Sequence, residues 1–240
     1  MVTSLSALTE MVPIDDFAVI GGLAVLARLE GAHRVTDDLD TVATQRGDAM
    51  SGVEAVLVPP GPDGFLIGTK VDCISVGDVA AADLAFSSLP EDDQDRVFVL
   101  CHRWALDTAE VVTVSAEQAG AVVVRVRCRF AIPGSLVAMK LQSAPRRKGA
   151  TIHKAGGDYL DIFRLASHPS LTDSIASSLR MAPHDLTSWC RQEIQRSMID
   201  EAMRTVGVIV RSGVGELGVP TAVQLQRTGL ALIERIDRKR

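Results

Sequence analysis

Aromatic residues are scarce in this sequence: they make up 4% of its 240 residues. This scarcity excludes a core held together mainly by aromatic side chains, so the core must be built from Val, Leu, Ile and Ala. Because 47% of the residues are hydrophobic, the chain can still bury a sizeable core, as one large domain or two small ones.

Paired cysteines and long apolar runs are also missing. The four cysteines are widely spaced and form no CxxC pair, which disfavours a zinc site or a disulfide framework and fits a reducing compartment. The longest nearly pure apolar run, residues 17–27, is too short to span a bilayer, and the first ten residues lack the basic segment of a signal peptide. The sequence therefore predicts a cytoplasmic protein without a membrane segment.

Positive charge is in deficit, since the formal net charge is −5. An acidic balance argues against a protein that coats nucleic acid through its overall charge, but it leaves room for a local basic groove. The histidines show neither the HxH nor the HxxxH spacing of a metal site, so none is assigned to a metal. No Ser-His-Asp or Cys-His arrangement can be argued from the sequence.

The order of predicted elements divides the chain into an α/β part and a helical part. The hydrophobic pattern predicts strands at 17–20, 38–42, 65–67, 70–76, 111–114 and 121–130, and helices from the Gly21-Gly22 break to 29, at 48–57 and at 92–108. Beyond residue 133 it predicts helices at 134–144, 157–167, 171–180, 185–211 and 220–237. We therefore predict an α/β (α+β) core with a small mixed sheet in residues 1–131 and a helical domain in residues 132–240.

Three aspartates lie in predicted strands. Asp38 and Asp40 are two residues apart, so both side chains point to the same side of a strand while Leu39 points into the core. Asp72 lies within the β-branched run 70–76, where a charge is costly unless it is paired or bound to metal. Magnesium takes oxygen ligands and suits such carboxylates, which predicts a metal site that serves displacement at phosphorus. The alternative is that Asp38 and Asp40 lie in an exposed surface loop.

The glycine pair that precedes these acids fits the same chemistry. A strand followed by Gly21-Gly22 and a helix exposes backbone N–H groups at a helix N-terminus, which attracts phosphate. A tight turn with close packing is the alternative. Arg34 is a candidate phosphate contact, and the Thr36 hydroxyl is expected beside the metal site. A phosphate on Thr36 would add negative charge there and switch the site off, unless Thr36 only caps the loop through a local hydrogen bond.

The run GGLAVLARLEGAHRVTDDLDTVA resembles the signature of the DNA polymerase β-like nucleotidyltransferase superfamily, a Gly-Gly/Ser turn followed by Asp-x-Asp. Within that superfamily the sequence is most similar to the AbiEii/MenT-like group, the toxins of bacterial toxin–antitoxin systems. PGSLVAMKLQSAPRR resembles that group's lysine helix, and GGDYLDIFRLAS resembles its later Asp-x-x-Asp helix. The resemblance covers residues 17 to 167 and implies a polymerase β-like fold.

The resemblance also assigns roles to residues of both parts of the chain. It implies that Asp38 and Asp40 bind the metal and that Gly21-Gly22 approaches the triphosphate, with Asp72 as the best candidate for the third carboxylate. Many members of the superfamily have Ser where Gly22 stands, so this chain lacks one hydroxyl that would contact phosphate.

Lys140 is implied to bind the nucleotide phosphates, and Asp161, with Asp158 as its neighbour, is implied to be a further essential acid. The residues themselves leave alternatives open. Lys140 lies in the apolar stretch 136–141, where it could reach the surface along its own stem. A structural salt bridge between Lys140 and Asp161 is equally compatible with the spacing, and such a bridge could also orient Lys140.

A dense basic stretch follows the lysine helix, formed by Arg146, Arg147, Lys148, His153 and Lys154. Together with the alternating Arg125, Arg127 and Arg129 it could form a positive strip that neutralises the phosphates of an RNA acceptor. The alternative is a solvated loop. For Arg28 we expect a plain surface role rather than a phosphate contact.

The predicted reaction is the Mg²⁺-dependent transfer of a nucleoside monophosphate from an NTP to an acceptor hydroxyl, with release of pyrophosphate. The resemblance implies that the acceptor is the 3′ end of tRNA, that the protein is a toxin, and that a cognate antitoxin is its partner. One alternative is a small-molecule nucleotidyltransferase that modifies an antibiotic, which a pocket with additional carboxylates would favour. The other is a non-catalytic binding module with the same fold.

Overall fold

The computed structural model describes residues 2–29, 38–44, 70–84, 92–118, 120–214 and 218–238. Within them, one sheet contains five strands: β1 (Phe17–Val19), β2 (Asp38–Thr44), β3 (Lys70–Val76), β4 (Glu110–Gln118) and β5 (Ala121–Phe130). Their order is β3-β2-β1-β5-β4; β2 pairs with β3 and β1 with β5 in parallel, whereas β1–β2 and β4–β5 are antiparallel. The predicted small mixed sheet is confirmed.

Nine α-helices accompany this sheet in the described part of the chain: α1 (Val2–Met11), α2 (Gly21–Arg28), α3 (Asp93–Asp107), α4 (Pro133–Ser143), α5 (Ile152–Ser167), α6 (Thr172–Met181), α7 (His184–Ile194), α8 (Ala202–Arg211) and α9 (Ala222–Asp237). A π-helical segment, Gln195–Asp200, lies between α7 and α8. Over these same residues, no helix combines the length and apolar character that a membrane span requires. The predicted α/β class with a helical C-terminal half is therefore confirmed.

Buried and more exposed side chains alternate within strands β2 and β5. In β2, Leu39 is fully buried between two partly exposed aspartates. In β5, Val126 and Cys128 are buried, whereas Arg125 and Arg127 are exposed. A period of two places alternate residues on opposite faces, so β2 and β5 each bury apolar side chains on one face and leave polar side chains at the surface or at a site, whereas the short central strand β1 is buried on both faces.

Helix α4 lies at the centre of the helical layer. Every residue from Pro133 to Gln142 is buried, because α4 packs against α2, α3, α5, α6 and α7. A helix that is covered on all sides must be apolar nearly all round, which explains its Leu, Val, Ala and Met content. The core has few aromatic members: Phe17 and Phe130 are fully buried, Trp104 and Tyr159 are nearly so, and the remaining large, fully buried side chains are leucines and isoleucines.

The structure departs from the predicted elements in the helical half. The single helix predicted over 185–211 is wrong, because the π-helical segment and a turn at Glu201 divide it into α7 and α8. The Thr205 hydroxyl donates to the carbonyl oxygen of Ser197 at 2.7 Å and joins α8 to the π-helical segment across the turn. Helix α5 begins at Ile152 rather than at 157, and α1 was not predicted.

Some predictions stay untested by the structure. The predicted helix at 48–57 and the predicted strand at 65–67 lie outside the described residues. The division into a 1–131 core and a 132–240 helical domain also stays a prediction. The apolar side chains of both parts belong to one continuous buried cluster.

Candidate active site

Three carboxylates meet on the two neighbouring strands β2 and β3. The parallel register places Asp40 directly beside Asp72, while Asp38 lies two residues earlier on the same face of β2. One carboxylate oxygen from each of the three lies within 4.8 Å of the others. We call Asp38, Asp40 and Asp72 the carboxylate cluster. The structure thus brings together the three acids that the sequence singled out.

The carboxylate cluster places like charges together, and this is reflected in the pKa of Asp40. Burial, and after it the charge of Asp38, raises the pKa of Asp40 from 3.8 to about 6. Asp72 adds to this effect, and the charges of Lys140 and Lys154 only reduce it. The Lys154 ammonium lies 3.4 Å from Asp38 Oδ2, but its side chain is 49% exposed, so water screens this pair.

This donor set fits a divalent cation. Three carboxylate oxygens from adjacent strands provide hard ligands of the type that Mg²⁺, Mn²⁺ and Ca²⁺ prefer, with no thiol or imidazole among them. Burial and the neighbouring charge of Asp38 disfavour the ionised form of Asp40, and a bound cation would offset both effects. The structure therefore supports a cation site formed by the carboxylate cluster.

The backbone of Gly21 lies against the carboxylate cluster. Gly21 has a φ of +67°, which favours glycine, and a Cβ atom at this position would stand 1.9 Å from Asp40 Oδ2. The Ile20 N–H donates to the Asp40 carbonyl oxygen at 2.9 Å and fixes this approach. Helix α2 begins at Gly21, and its N-cap residue provides no side-chain hydrogen bond. The first N–H groups of the helix therefore lie next to the acids and can bind an anion.

A second group of charges surrounds Lys140 on α4. The Lys140 ammonium lies 3.0 Å from Asp158 Oδ1 and 2.6 Å from Asp161 Oδ2, both on α5. Asp158 also accepts from Arg147 Nε at 2.6 Å and from the Ser143 hydroxyl at 2.9 Å. We call Lys140, Arg147, Asp158 and Asp161 the lysine cluster. The structural salt bridge that the sequence left open is present.

The lysine cluster is balanced in charge, and all of its side chains except that of Arg147 are buried. The side chains of Lys140, Asp158 and Asp161 are 7%, 5% and 0% exposed, and two acids face two bases. Burial alone would raise the pKa of Asp158, but the charges of Lys140 and Arg147 outweigh it and hold that pKa below its ordinary value. A snorkelling lysine is therefore excluded, and Lys140 is held in one position.

Both clusters border one cavity of about 830 Å³. Asp161 does not line this cavity, because it lies behind Lys140. The cavity is lined by the three carboxylates, by both glycines of α2, by Lys140 and Asp158, and by residues of α3 and of the turns after α4. Its size is in the range of nucleotide and drug sites.

The basic stretch after α4 does not act as one strip. Arg146 binds Asp95 at the start of α3 at 3.0 Å, whereas Arg147 turns to Asp158 on α5. Both arginines line the cavity together with Lys154, while the exposed Lys148 does not.

The arginines of β5 are not part of the cavity lining either. Arg129 donates to the carbonyl oxygens of Asp15 and Leu106, and Arg125 and Arg127 lie on the exposed face of β5. The structure thus does not join the β5 arginines to the basic residues of the cavity.

Three further predictions concern the arginines and the threonine near α2. The Arg28 guanidinium binds Glu110 at 3.1 Å and donates to the carbonyl oxygens of Phe130 and Ala131, which gives it a structural role. Arg34 and Thr36 lie outside the described residues, so their predicted roles at the site stay predictions.

Sequence reasoning missed one wall of the cavity. Phe98 and His102 on α3 and Gln142 on α4 line it, together with Ile74 and Met139. The sequence around Phe98 and His102 predicts a helix but does not show which of its faces turns towards the acids. The spacing of Phe98 and His102, four residues apart, was the available signal, because it places both on one helical face.

Comparisons with known proteins add one likeness. No protein-family model matches the chain, and no curated protein matches it. Among solved structures, the chain is similar to the crystal structure of an antigenic nucleotidyltransferase-like protein from Paracoccidioides brasiliensis. The two chains share 18% sequence identity with a TM-score of 0.40, and the match covers 79% of this chain and 91% of that chain. The case for a function accordingly depends on the geometry of the site.

Proposed function

We propose that this chain is a Mg²⁺-dependent nucleotidyltransferase that moves a nucleoside monophosphate from an NTP to an acceptor hydroxyl and releases pyrophosphate. One observation carries the proposal: three carboxylates on neighbouring strands lie within 4.8 Å of one another, beside the uncapped N-terminus of α2. A cation site and an anion site in contact are what a metal–triphosphate complex needs.

Each part of the site has a role in this proposal. When bound to the carboxylate cluster, the metal would activate the attacking oxygen and offset the charge that develops at phosphorus. The N–H groups at Gly21 and Gly22 bind the triphosphate, and the close approach of Gly21 to Asp40 keeps the triphosphate next to the acids. Lys140 contributes positive charge from the cavity wall, held in place by Asp158 and Asp161.

The charge of the cavity favours a polyanionic acceptor over a cationic antibiotic. Outside the carboxylate cluster, Asp158 is the acidic residue among the described lining residues, and it is already bound by Lys140 and Arg147. Arg146 and Lys154 line the same cavity, and although both pair with acidic residues, their side chains are 38% and 49% exposed and can still contact an acceptor phosphate. We infer an RNA acceptor from this balance. The sequence resemblance supports the finer proposal, that the acceptor is the 3′ end of tRNA and that the protein is a toxin with a cognate antitoxin.

The decisive experiment supplies both substrates. The protein is incubated with total RNA or with aminoglycosides, Mg²⁺ and each of the four α-labelled NTPs in turn, and the labelled product is identified. Label at the 3′ end of tRNA is the expected result. Label on the antibiotic alone would replace the RNA proposal, and no label on any acceptor, with NTP and metal bound, would favour a binding module.

The matched control separates chemistry from folding. Asp38→Asn removes one member of the carboxylate cluster, whereas Asp15→Asn makes the same chemical change at an exposed position away from the cavity. Transfer should disappear in the first variant and remain unchanged in the second.

A further inference from the structure

We propose that Phe98, His102 and Gln142 form the nucleobase-binding wall of the cavity, so that the site selects a nucleoside triphosphate over inorganic triphosphate. This inference rests on the proposed function, because it assigns the base end of the same substrate. Its three residues come from α3 and α4 and were not expected at the site from the sequence.

Gln142 carries an unused hydrogen-bond donor. Its side chain is buried, with 2% of the residue exposed, and its Nε2 has no hydrogen-bond partner among the residues that the structure describes. A buried amide without a partner costs free energy, of about 1–3 kcal/mol, unless a ligand supplies the missing acceptor. Gln142 lines the cavity, but its Nε2 is shielded from solvent, so the amide must turn towards a carbonyl oxygen or a ring nitrogen of the base when the nucleotide binds.

His102 offers the complementary acceptor. Its Nδ1 lies 2.8 Å from the carbonyl oxygen of Phe98, which only accepts, and the Cys101 thiol 3.4 Å away itself donates to that carbonyl, so we assign the proton to Nδ1. Burial lowers the pKa of His102 to about 4, which keeps the ring neutral at physiological pH. Its Nε2 therefore holds a lone pair. With His102 Nε2 and the Gln142 amide turned to the cavity, the wall would offer one donor and one acceptor, the combination that the Watson–Crick edge of a base requires.

Phe98 supplies an aromatic surface next to these polar atoms. The rings of Phe98 and His102 lie with centroids 4.2 Å apart and are inclined by 41°. Ile74 and Met139 extend the same apolar lining. Aromatic and apolar side chains provide stacking surfaces for bases, worth roughly 1–3 kcal/mol per base.

The position of Gln142 on α4 separates this wall from the phosphate end. Gln142 follows Lys140 by two residues, which puts the two side chains about 160° apart around the helix axis. Lys140 faces α5 and its acids, so Gln142 faces the other flank, where α3 packs. The nucleotide would thus lie across α4, with its phosphates near α2 and α5 and its base near α3.

The test compares binding of nucleotide and of inorganic triphosphate. Dissociation constants for non-hydrolysable α,β-methylene analogues of the four NTPs, and for tripolyphosphate, are measured by calorimetry in Mg²⁺. Gln142→Met keeps the approximate shape but removes the amide, and Gln192→Met makes the same change on the exposed part of α7. We expect Gln142→Met to weaken binding of the preferred NTP about tenfold and to leave tripolyphosphate binding unchanged, with no effect of Gln192→Met.

Thermal unfolding distinguishes a binding role of Gln142 from a structural one, because loss of a structural hydrogen bond would lower the melting temperature. Removing a buried donor without a partner should leave the melting temperature of Gln142→Met equal to or above that of the wild type. His102→Phe should reduce discrimination among the four bases while it keeps the aromatic surface. A lower melting temperature for Gln142→Met together with an unchanged ratio of NTP to tripolyphosphate affinity would overturn the inference.

The outcomes distinguish this inference from the proposed function. If the wild type binds an NTP more tightly than tripolyphosphate through Gln142 but labels no acceptor, the base wall stands and the transferase proposal fails. If it labels RNA but binds every NTP no more tightly than tripolyphosphate, the transferase proposal stands and the base wall is rejected.

Discussion

Two clusters of charged side chains border the same cavity and differ in how their charge is balanced. The carboxylate cluster places three acids together, and the pKa of Asp40 rises to about 6. The lysine cluster pairs two acids with two bases, and the pKa of Asp158 falls below its ordinary value. Among the described residues, the charges of Lys140 and Lys154 reduce the pKa shift of Asp40 without abolishing it, so a cation from solution would stabilise the first cluster, whereas the second pairs its acids with its own bases. We therefore expect the carboxylate cluster to bind a ligand, and the lysine cluster to fix the position of side chains in the cavity wall.

The largest effect should come from the carboxylate cluster. Asp40→Asn should reduce transfer at least about 1,000-fold at saturating Mg²⁺, because the remaining two acids cannot hold the metal next to the phosphates. The same change should leave the protein folded, since it relieves repulsion instead of breaking a pair. Transfer is measured with labelled NTP, and circular dichroism checks the fold. A variant that keeps wild-type rates would remove the metal assignment.

Lys140→Ala should affect stability as well as transfer. It leaves the buried Asp158 and Asp161 with one fewer cation, and breaking a buried pair costs about 3–5 kcal/mol. Lys140→Arg should rescue little, because a guanidinium does not fit the position of a compact ammonium. Urea unfolding gives the stability, and transfer is expressed per folded molecule.

Lys154→Ala is the matched comparison for Lys140→Ala. Lys154 pairs with Asp38 at 3.4 Å but is half exposed, so its loss should cost less than about 1 kcal/mol. If Lys140→Ala lost stability and kept its full transfer rate per folded molecule, the lysine cluster would have a structural role only.

The two clusters should respond to pH in opposite directions. The pKa of Asp40 is higher in the folded protein than the unfolded value of 3.8, so its ionisation lowers the stability of the metal-free protein as pH rises towards about 6, and the cost is fully present above that value. The pKa of Asp158 is lowered, so its contribution is present above 3.8 and is lost as pH falls through its folded pKa.

Asp40→Asn isolates the first of these effects. In EDTA, the variant should melt at a higher temperature than the wild type at pH 7.5, by roughly 2–4 °C for each kcal/mol of repulsion relieved, and the difference should shrink at pH 4.5. Metal affinity of the wild type should also fall below pH 6, because protonated Asp40 must release its proton to bind a cation. Equal melting temperatures at both pH values would contradict the raised pKa of Asp40.

The two clusters also differ in how completely the sequence predicts their members. The carboxylate cluster was predictable, because a period of two fixes the common face of Asp38 and Asp40 and the strand run 70–76 carries Asp72. The partners within the lysine cluster were only partly predictable: Asp161 was expected beside Lys140, but Arg147 was grouped with Arg146. The separation of these two arginines depends on how α3 and α5 pack on either side of α4, which no local pattern encodes.

Two features could not be predicted from the sequence: the cavity wall formed by α3, and the break between α7 and α8. Phe98 and His102 reach the cavity only because α3 packs against α4, a contact between segments distant in sequence. The π-helical segment Gln195–Asp200 adds one residue per turn but keeps Ser197 and Met198 buried, so the apolar pattern over 185–211 still resembles that of one helix.

The smallest effect on function should come from Lys148, a basic residue that belongs to neither cluster. Arg146 and Arg147 are bound to acids, so reversing them would disturb α3 and α5, but Lys148 is exposed and does not line the cavity. Lys148→Glu should weaken RNA binding severalfold and reduce the slope of its salt dependence by about one counterion, while the dissociation constant for NTP stays the same. Filter binding across a salt series measures the slope. Arg227→Glu, an equal charge reversal on exposed α9, is the control, and identical slopes for both variants would remove Lys148 from the RNA-binding surface.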